Sequence, residues 1–418
     1  MSTFHCAAAL VDGHFAADVR VEVDDGVIVD LSADSAPTAE DVSLGTVVPG
    51  FVNAHSHAFH RALRGRTHDA GGDFWRWRTR MYEEAAGLTP DGYRTLATRV
   101  FTEMRDAGCT TVSEFHYVHH RSDGTSYPHH DMELAVAEAA ASVGIRLLLL
   151  DTLYLRGGPG VPLAAEQLRF GDHDVHGWLA RWHGLRDALG ALASPLVSLG
   201  AAVHSVRAVA PADLVAVADG LPSDVPLHVH VSEQPAENEQ CIAETGLTPT
   251  ALLAASGLLS PRLSAVHATH LTPEDIDLLG GAGVTVVMCP TTEADLGDGI
   301  GPAPELLAAG ARLAIGSDQN AVVDPWEETA RLELDQRLRL GRRGVFTPRQ
   351  LWAAGSGTDG IRVGRPFDAL EVASGTPRTA GADPLQLPLV ARGEDVTATI
   401  VGGRMTRPGV ASGGGVSC

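Results

Sequence analysis

The chain has 418 residues, enough to bury a large core and to form one barrel-sized domain together with a smaller one. Its formal net charge of −21 argues against nucleic acids and anionic membranes as partners, because both attract basic surfaces. All 31 cationic side chains are arginine. The absence of lysine excludes a Schiff-base lysine, a P-loop lysine and a carbamylated lysine bridging two metal ions, so any metal chemistry should use one ion.

Five cysteines are scattered along the chain, and no two of them form a C-x-x-C pair. This pattern is typical of reduced, mostly buried thiols and not of a disulfide framework or a zinc ribbon. The N-terminus lacks the basic segment and the apolar run of a signal peptide, and no apolar stretch reaches the ~20 residues that span a bilayer. We therefore expect a cytoplasmic protein.

Short β-rich runs alternate with helix-like segments from about residue 46 onward. The runs predict strands at 46–52, 110–115, 146–153, 196–203, 226–231, 263–266, 284–288 and 312–315. Helical periodicity lies between them, at 93–106, 132–143, 178–189 and 248–259, and Thr272-Pro273 predicts a capped helix start. Eight strands, each followed by a helix, predict an α/β fold, a closed (β/α)8 barrel. An open doubly wound sheet is the competitor, but no G-x-G-x-x-G opens a helix.

The two ends of the chain follow another pattern. Residues 4–45 and 366–407 alternate in the manner of small antiparallel strands, and we predict that they pair into one β-sandwich. The predicted order is the first part of the sandwich at 1–45, the barrel at 46–365 and the second part of the sandwich at 366–407. A Gly/Ser-rich tail at 408–418 is predicted to be disordered.

The most informative motif is His55-Ser56-His57, at the end of the first predicted barrel strand. Residues two apart in a strand point the same way, so both imidazoles can reach one metal ion. The working residues of a barrel lie at the carboxyl ends of its strands. Three later strand ends carry further residues of ligand type, namely His230, His267 and Asp318.

Three histidines and one aspartate would leave an open position for water on a metal ion. Strand five offers two histidines, so one of them has to be chosen. His230 is favoured over His228 because Glu233 lies three residues beyond it at the rim of the barrel. Zinc suits three histidines and one aspartate, although iron or manganese could occupy the same ligands. The predicted ligands of one metal ion per chain are His55, His57, His230 and Asp318. For Asp318 alone, a turn or a helix N-cap is the alternative interpretation.

The neighbouring residues suggest the chemistry. Zinc lowers the pKa of water to about 7, which makes hydroxide available at neutral pH. Glu233 is then a proton carrier, and His267 a donor or base beside the reacting atoms. These residues predict hydrolytic attack on an electrophilic sp² carbon that bears nitrogen. By contrast, His119, His120, His129 and His130 lie in a predicted loop, and we interpret them as solvated or loop-ordering.

The motifs together resemble the amidohydrolase superfamily, in its mononuclear aminohydrolase branch. The resemblance is carried by the nine residues from Pro49 to His57, by His230 with Glu233, by His267 and by Ser317-Asp318. The absence of lysine agrees, since that branch lacks the bridging carbamate. The resemblance implies an amidohydrolase-type barrel and catalytic roles for Glu233, His267 and Asp318.

Within this branch, longer stretches resemble the formimidoylglutamate deiminase family of histidine degradation. The stretches are residues 74–78, 114–120, 204–209 and 292–300, and the likeness runs from about residue 46 to 340. That family uses zinc to hydrolyse N-formimino-L-glutamate to N-formyl-L-glutamate and ammonia. Homodimers are expected, because barrels of this superfamily often form them.

The same resemblance implies that Arg78, Tyr117, His204 and Arg207 bind the substrate, with the two arginines facing its two carboxylates. Arginine suits carboxylates through bidentate hydrogen bonds, and a dianion approaching a chain of this charge needs local cations. A salt bridge for Arg207 and simple stacking for Arg78 are the alternatives.

Two departures from the family pattern adjoin the predicted pocket. His60 stands where the family commonly has glutamine, and we place it with the substrate-binding residues. Gln319-Asn320 follows Asp318, where the family usually has Ser-His.

Two other functions remain open. A related zinc deaminase acting on a purine-like ring would have an aromatic stacking pocket instead of paired arginines. A catalytically silent barrel would be expected to have lost ligands or the acid–base glutamate. Here the four predicted ligands, Glu233 and His267 are all present.

Overall fold

The computed structural model describes residues 1–67 and 74–409, with nothing stated of the side chains of 74–76. Most of the tail predicted to be disordered, 410–418, lies outside the described residues. None of the described helices combines the length and the apolar character needed to cross a membrane.

The described strands fall into two sheets. In chain order they are β1 (Ser2–Val11), β2 (His14–Asp24), β3 (Val27–Ser32), β4 (Val42–Pro49), β5 (Phe51–Ser56), β6 (Cys109–His116), β7 (Arg146–Leu153), β8 (Val197–Ser205), β9 (Leu227–Val231), β10 (Leu263–His267), β11 (Thr285–Met288), β12 (Arg312–Ile315), β13 (Ala369–Val372), β14 (Val396–Val401) and β15 (Arg404–Thr406).

The described helices lie mainly between the barrel strands. They are α1 (Phe74–Gly87), α2 (Pro90–Asp106), α3 (Asp131–Val143), α4 (Val175–Leu192), α5 (Pro211–Gly220), α6 (Pro235–Thr245), α7 (Pro249–Ala255), α8 (Pro273–Gly281), α9 (Pro290–Leu296), α10 (Ala303–Ala309), α11 (Pro325–Leu340), α12 (Pro348–Ser356) and α13 (Leu387–Val390). Four of them, α2, α7, α8 and α12, begin with a threonine N-cap followed by proline, including the predicted start at Thr272.

The barrel is confirmed. Strands β5 to β12 pair in parallel with their neighbours in chain order. The barrel is nearly closed between its first and last strands, where Asp318 N donates to His55 O at 3.0 Å and His57 N donates to Asp318 O at 2.9 Å. Barrel strands are covered on both faces, so they lack the regular alternation of buried and exposed residues that marks a half-exposed strand. Strand β9, for example, is buried at every residue.

One predicted strand is divided in the structure. The run at 46–52 forms the end of β4 in the terminal sheet and the start of β5 in the barrel. The break falls at Gly50, where an added Cβ would lie 2.1 Å from the Thr110 side chain. Only glycine lets the chain pass that close as it moves from one sheet to the other. The preceding Pro49 also lacks a backbone N–H for the ladder.

Both ends of the chain contribute to the terminal β-domain, as predicted. Its strands are hydrogen-bonded as a single mixed sheet in the order β15-β14-β13-β4-β1-β2-β3. A separate apolar core, which includes Phe4, Val21 and Phe367, lies against this sheet. The domain boundaries themselves remain predictions.

Candidate active site

The four predicted metal ligands meet at the carboxyl end of the barrel. Asp318 Oδ1 lies 3.1 Å from His55 Nε2 and 3.3 Å from His57 Nε2. His230 Nε2 lies 3.1 Å from His55 Nε2 and 3.3 Å from His57 Nε2. All four residues are buried, and His267 also offers a ligand atom close to those of His55, His230 and Asp318. Strands β5 and β9 and the residues after β12 thus direct their side chains to one point.

The hydrogen bonds of the cluster fit a cation at that point. The Nδ1 atoms of His57 and His230 each lie 2.9 Å from a backbone carbonyl, of Phe115 and His204 respectively, so Nδ1 carries the proton. Burial and the neighbouring histidines hold the pKa of both rings well below the usual value. Their Nε2 atoms therefore present lone pairs to each other and to a carboxylate oxygen. A divalent metal ion would satisfy these acceptors together.

Asp318 is a carboxylate in this cluster and not a helix cap. Burial alone would raise its pKa, but the hydrogen bond with His55 and the other histidines hold the pKa far below its usual range. The N-cap of the following helix, α11, is Asp324. The alternative interpretation of Asp318 as a cap is therefore wrong.

Two site residues have left-handed backbone conformations. His267 has φ +68° and Asp318 has φ +41°. Such conformations cost a non-glycine residue on the order of 1 kcal/mol or more, and they persist where the surrounding structure imposes them. The strain lies where the strand ends turn the two side chains toward the cluster. The sequence alone carries no signal of it.

Glu233 and His267 lie beside the cluster as a pair of titratable groups. Glu233 Oε1 is 3.9 Å from His267 Nε2. Burial raises the pKa of Glu233. Burial would lower the pKa of His267, but Glu233, Glu293 and Asp318 outweigh it and raise this pKa to about 10. A buried acid with a raised pKa next to a protonated imidazole can move protons near neutral pH.

Glu293 is a site residue to which the sequence analysis assigned no role. Its Oε1 lies 3.4 Å from His267 Nδ1 and accepts a hydrogen bond from Cys289 N at 2.8 Å. The carboxylate therefore holds the His267 ring and leaves Nε2 facing Glu233. The signal available in the sequence was its place in the stretch 292–300, which carries the family resemblance.

A narrow cavity of about 70 Å³ opens onto the cluster. It is lined by every predicted substrate-binding residue, namely His60, Arg78, Tyr117, His204 and Arg207. Aromatic and apolar side chains that the sequence analysis did not single out complete the lining, among them Trp77, Met81, Tyr82, Tyr154, Phe170 and Leu296.

The two arginines in this cavity have different surroundings. Arg78 Nε donates to Tyr82 Oη at 2.7 Å, and its guanidinium also lies over the Tyr82 ring. Burial would lower the pKa of Arg207, but Tyr154 and nearby carboxylates raise it, so the guanidinium stays charged. Among the described residues, Arg207 has no side-chain ion pair, so the alternative of a salt bridge finds no support. Both cations line the pocket.

The two departures from the family pattern contact the same residue. The His60 ring packs edge-on against Trp77, with centroids 5.1 Å apart. Trp77 Nε1 donates to Gln319 Oε1 at 3.0 Å. His60 Nε2 lies 2.8 Å from Tyr117 Oη, while its Nδ1 is buried without a hydrogen-bond partner among the described residues. Through Trp77, these two residues link α1, which carries Arg78, to the segment that follows β12.

The interpretation of two loop histidines as solvated is wrong. His119 and His120 are buried. His119 Nδ1 lies 2.8 Å from Glu133 Oε1, and its Nε2 lies 2.9 Å from Thr152 O. Arg181, from α4, donates to an Asp151 oxygen at 2.5 Å and provides the counter-charge for this cluster. With a guanidinium already among these acceptors, the group is an internal ion network and not a second metal site.

The fold and the site define a barrel hydrolase with a buried His/Asp cluster of the kind that can hold a metal ion. The chain belongs to the amidohydrolase family, whose sequence model matches residues 46–358.

Individual relatives agree with this class. The formimidoylglutamate deiminase of Pseudomonas aeruginosa is 36% identical over 384 residues, which cover 89% of this chain and 84% of that protein. A solved amidohydrolase from Brucella melitensis is 33% identical with a TM-score of 0.90, covering 98% of this chain and 95% of that one. An adenosine deaminase from Xanthomonas campestris with bound zinc is 26% identical with a TM-score of 0.81, covering 96% of this chain and 92% of that one.

Proposed function

We propose that this chain is a zinc-dependent deiminase that hydrolyses N-formimino-L-glutamate to N-formyl-L-glutamate and ammonia. The observation that carries the proposal is the placement of two guanidinium groups, of Arg78 and Arg207, in the cavity that opens onto the His/Asp cluster. A substrate with two carboxylates and a linear amidine matches that arrangement. The similarity to the Pseudomonas aeruginosa deiminase supports the same substrate.

The proposed ligands of the ion are His55, His57, His230 and Asp318, which form a donor set typical of zinc. Zinc bound by such a set is a Lewis acid that makes water nucleophilic near neutral pH. The protein itself has to bind the substrate, orient it and move the protons.

Each step of the proposed reaction uses a residue already placed in the site. Arg78 and Arg207 hold the carboxylates, so the formimino carbon faces the cluster. Water adds its oxygen to that carbon and loses one proton to Asp318, while the protonated His267 ring donates a hydrogen bond to the added oxygen. Glu233 carries its proton to the amidine nitrogen, then takes the proton of the new hydroxyl group and delivers it to the same nitrogen, so the C–N bond breaks and ammonia leaves. The proton held by Asp318 restores Glu233, and N-formyl-L-glutamate is released.

Three substrate-facing side chains complete the proposed binding site. Tyr117 and His60 are hydrogen-bonded to each other, and His204 packs against the Tyr154 ring with centroids 4.5 Å apart. The pKa of His204 is held well below its usual value by burial and by the two arginines, so the ring is neutral. A neutral ring beside the arginines leaves their charge available for the substrate.

The test is an ammonia-release assay with N-formimino-L-glutamate, run together with a metal count on the same purified protein. We expect zinc-dependent turnover and about one zinc ion per chain. Zinc-loaded protein that releases no ammonia from this substrate would overturn the proposal. A preparation that is folded but cannot be loaded with metal would favour the silent barrel.

A second candidate is a related aminohydrolase acting on a purine-like ring. The aromatic lining of the cavity, with Trp77, Tyr82, Tyr154 and Phe170, favours it, as does the similarity to the adenosine deaminase. The two cavity arginines argue against it, because a neutral ring offers them no carboxylate. Ammonia release from adenosine and guanine, measured beside N-formimino-L-glutamate, separates the two candidates.

A further inference from the structure

Arg207 lies on the turn that follows β8, and its position depends on the main chain of that turn. Ala208 N donates to Ser205 O at 3.1 Å, which closes the turn. The carbonyl groups of Val206 and Arg207 accept no backbone hydrogen bond from the described residues, so they need other donors.

Arg156, which follows β7, provides both donors. Its Nε donates to Arg207 O at 3.0 Å, and its Nη2 donates to Val206 O at 3.0 Å. The backbone N–H groups of Leu155 and Arg156 both donate to Ala208 O at 3.0 Å. The segment after β7 thus donates hydrogen bonds to three consecutive carbonyl groups, those of Val206, Arg207 and Ala208.

Glu244 holds the guanidinium of Arg156 in place. Arg156 Nη1 donates to Glu244 Oε1 at 2.6 Å, and Nη2 donates to Oε2 at 2.8 Å. This two-pronged geometry fixes the plane of the guanidinium, which a single hydrogen bond would not. Glu244 lies near the end of α6, the helix that begins just after Glu233. The contacts therefore join three segments, namely the loop after β7, the turn after β8 and α6.

We propose that Arg156, held by Glu244, is a positioning residue that fixes Arg207 for one carboxylate of the substrate. The inference rests on the proposed function for the identity of that substrate. Arg156 does not line the cavity, so it acts through the main chain of Arg207. Without it, the turn loses two side-chain donors, and Arg207 can no longer be held in one geometry toward the carboxylate.

The test compares steady-state kinetics of the wild type, Arg156→Met and Glu244→Gln with N-formimino-L-glutamate. A matched control is Arg146→Met, because Arg146 lies at the opposite end of β7 and makes a similar two-pronged pair with Asp368. We expect KM to rise about tenfold in Arg156→Met and less in Glu244→Gln, with kcat changed by less than about threefold. The control should keep its KM, and thermal unfolding shows whether each variant is folded.

Two monocarboxylate substrates sharpen the test. N-formimino-4-aminobutyrate lacks the α-carboxylate, and N-formimino-2-aminobutyrate lacks the second one. With the analogue that has lost the carboxylate bound by Arg207, the change from wild type to Arg156→Met should have little effect on kcat/KM. With the other analogue, which keeps that carboxylate, Arg156→Met should still have a lower kcat/KM than the wild type. An equal loss on all three substrates would indicate a general structural role and would overturn the proposal.

Binding of glutarate, a dicarboxylate that cannot react, separates this inference from the proposed function. If the wild type does not turn over N-formimino-L-glutamate, the proposed function fails, but glutarate should still bind about tenfold more weakly to Arg156→Met than to Arg146→Met. Equal affinity in these two variants, or no glutarate binding by the wild type, would overturn the positioning role.

Discussion

The Nε2 atoms of His57 and His230 lie 3.3 Å apart, and neither carries a proton to share with the other. In each neutral ring the single N–H group is at Nδ1, where it donates a hydrogen bond to a backbone carbonyl. Two lone pairs at this separation repel each other, and Asp318 adds a carboxylate oxygen to the same space. Without a cation, the cluster would therefore destabilise the fold.

Metal binding should raise the thermal stability of the protein. We expect the Tm of chelator-treated protein to rise by at least about 3 °C on addition of zinc, because a ligand that binds only the folded state stabilises it. The His230→Ala variant should lose most of this shift, whereas His176→Ala, at an exposed position on α4, should keep it. Differential scanning calorimetry with and without zinc measures both. An unchanged shift in His230→Ala would contradict the assignment of His230 as a ligand.

Glu233→Gln should separate proton transfer from metal binding. The amide keeps the size of the side chain but cannot carry a proton, so we expect kcat to fall by ~10²–10⁴-fold. Zinc content should stay at the wild-type level, because Glu233 is not among the proposed ligands. Glu239→Gln, at an exposed position on α6, the helix that follows Glu233, is the matched control and should keep its activity. Nearly full turnover by a zinc-loaded Glu233→Gln protein would remove Glu233 from the mechanism.

The sequence was sufficient to predict the barrel because each strand is a short apolar run that ends in polar residues. The same property brought His55, His57, His230 and Asp318 together, since the ends of parallel strands share one rim. Strand 46–52 was predicted as continuous because its residues are mostly apolar, although the Pro49-Gly50 dipeptide is a local signal for a break. The close approach of Gly50 to a side chain 60 residues later, where the chain passes between the two sheets, is contained in no local pattern.

Contacts between distant segments account for the other differences between the predictions and the structure. His119 and His120 are in a polar stretch but are buried, and Arg181 reaches His119 from α4. The link between Trp77 and Gln319 joins residues 242 positions apart. Local patterns show which side chains can carry charge. They do not show which distant side chain neutralises that charge inside the fold.

Arg181 should be essential for stability although it lies outside the cavity. It is the cation of a buried network with three carboxylates, those of Glu133, Asp151 and Asp172. Arg181→Met removes the guanidinium that these three charges share, and we expect the free energy of unfolding to fall by about 3–5 kcal/mol. Chemical denaturation measures the loss. Arg186→Met, an exposed change on the same helix, should have little effect. Similar stabilities for the two variants would show that the network does not depend on Arg181.

Asp298 should make stability depend on pH. Burial and the neighbouring Glu233 raise its pKa from 3.8 to about 8. Between these values the folded protein keeps a proton that the unfolded chain has lost, so this group makes the protein less stable as the pH rises from about 4 to 8. Asp298→Asn cannot titrate, and its amide oxygen can still accept the hydrogen bond from Gln234. We therefore expect a smaller decrease in Tm between pH 5 and pH 8 in Asp298→Asn than in the wild type or in Asp277→Asn, an exposed change on α8. The same decrease in all three proteins would mean that Asp298 is ionised in the folded state.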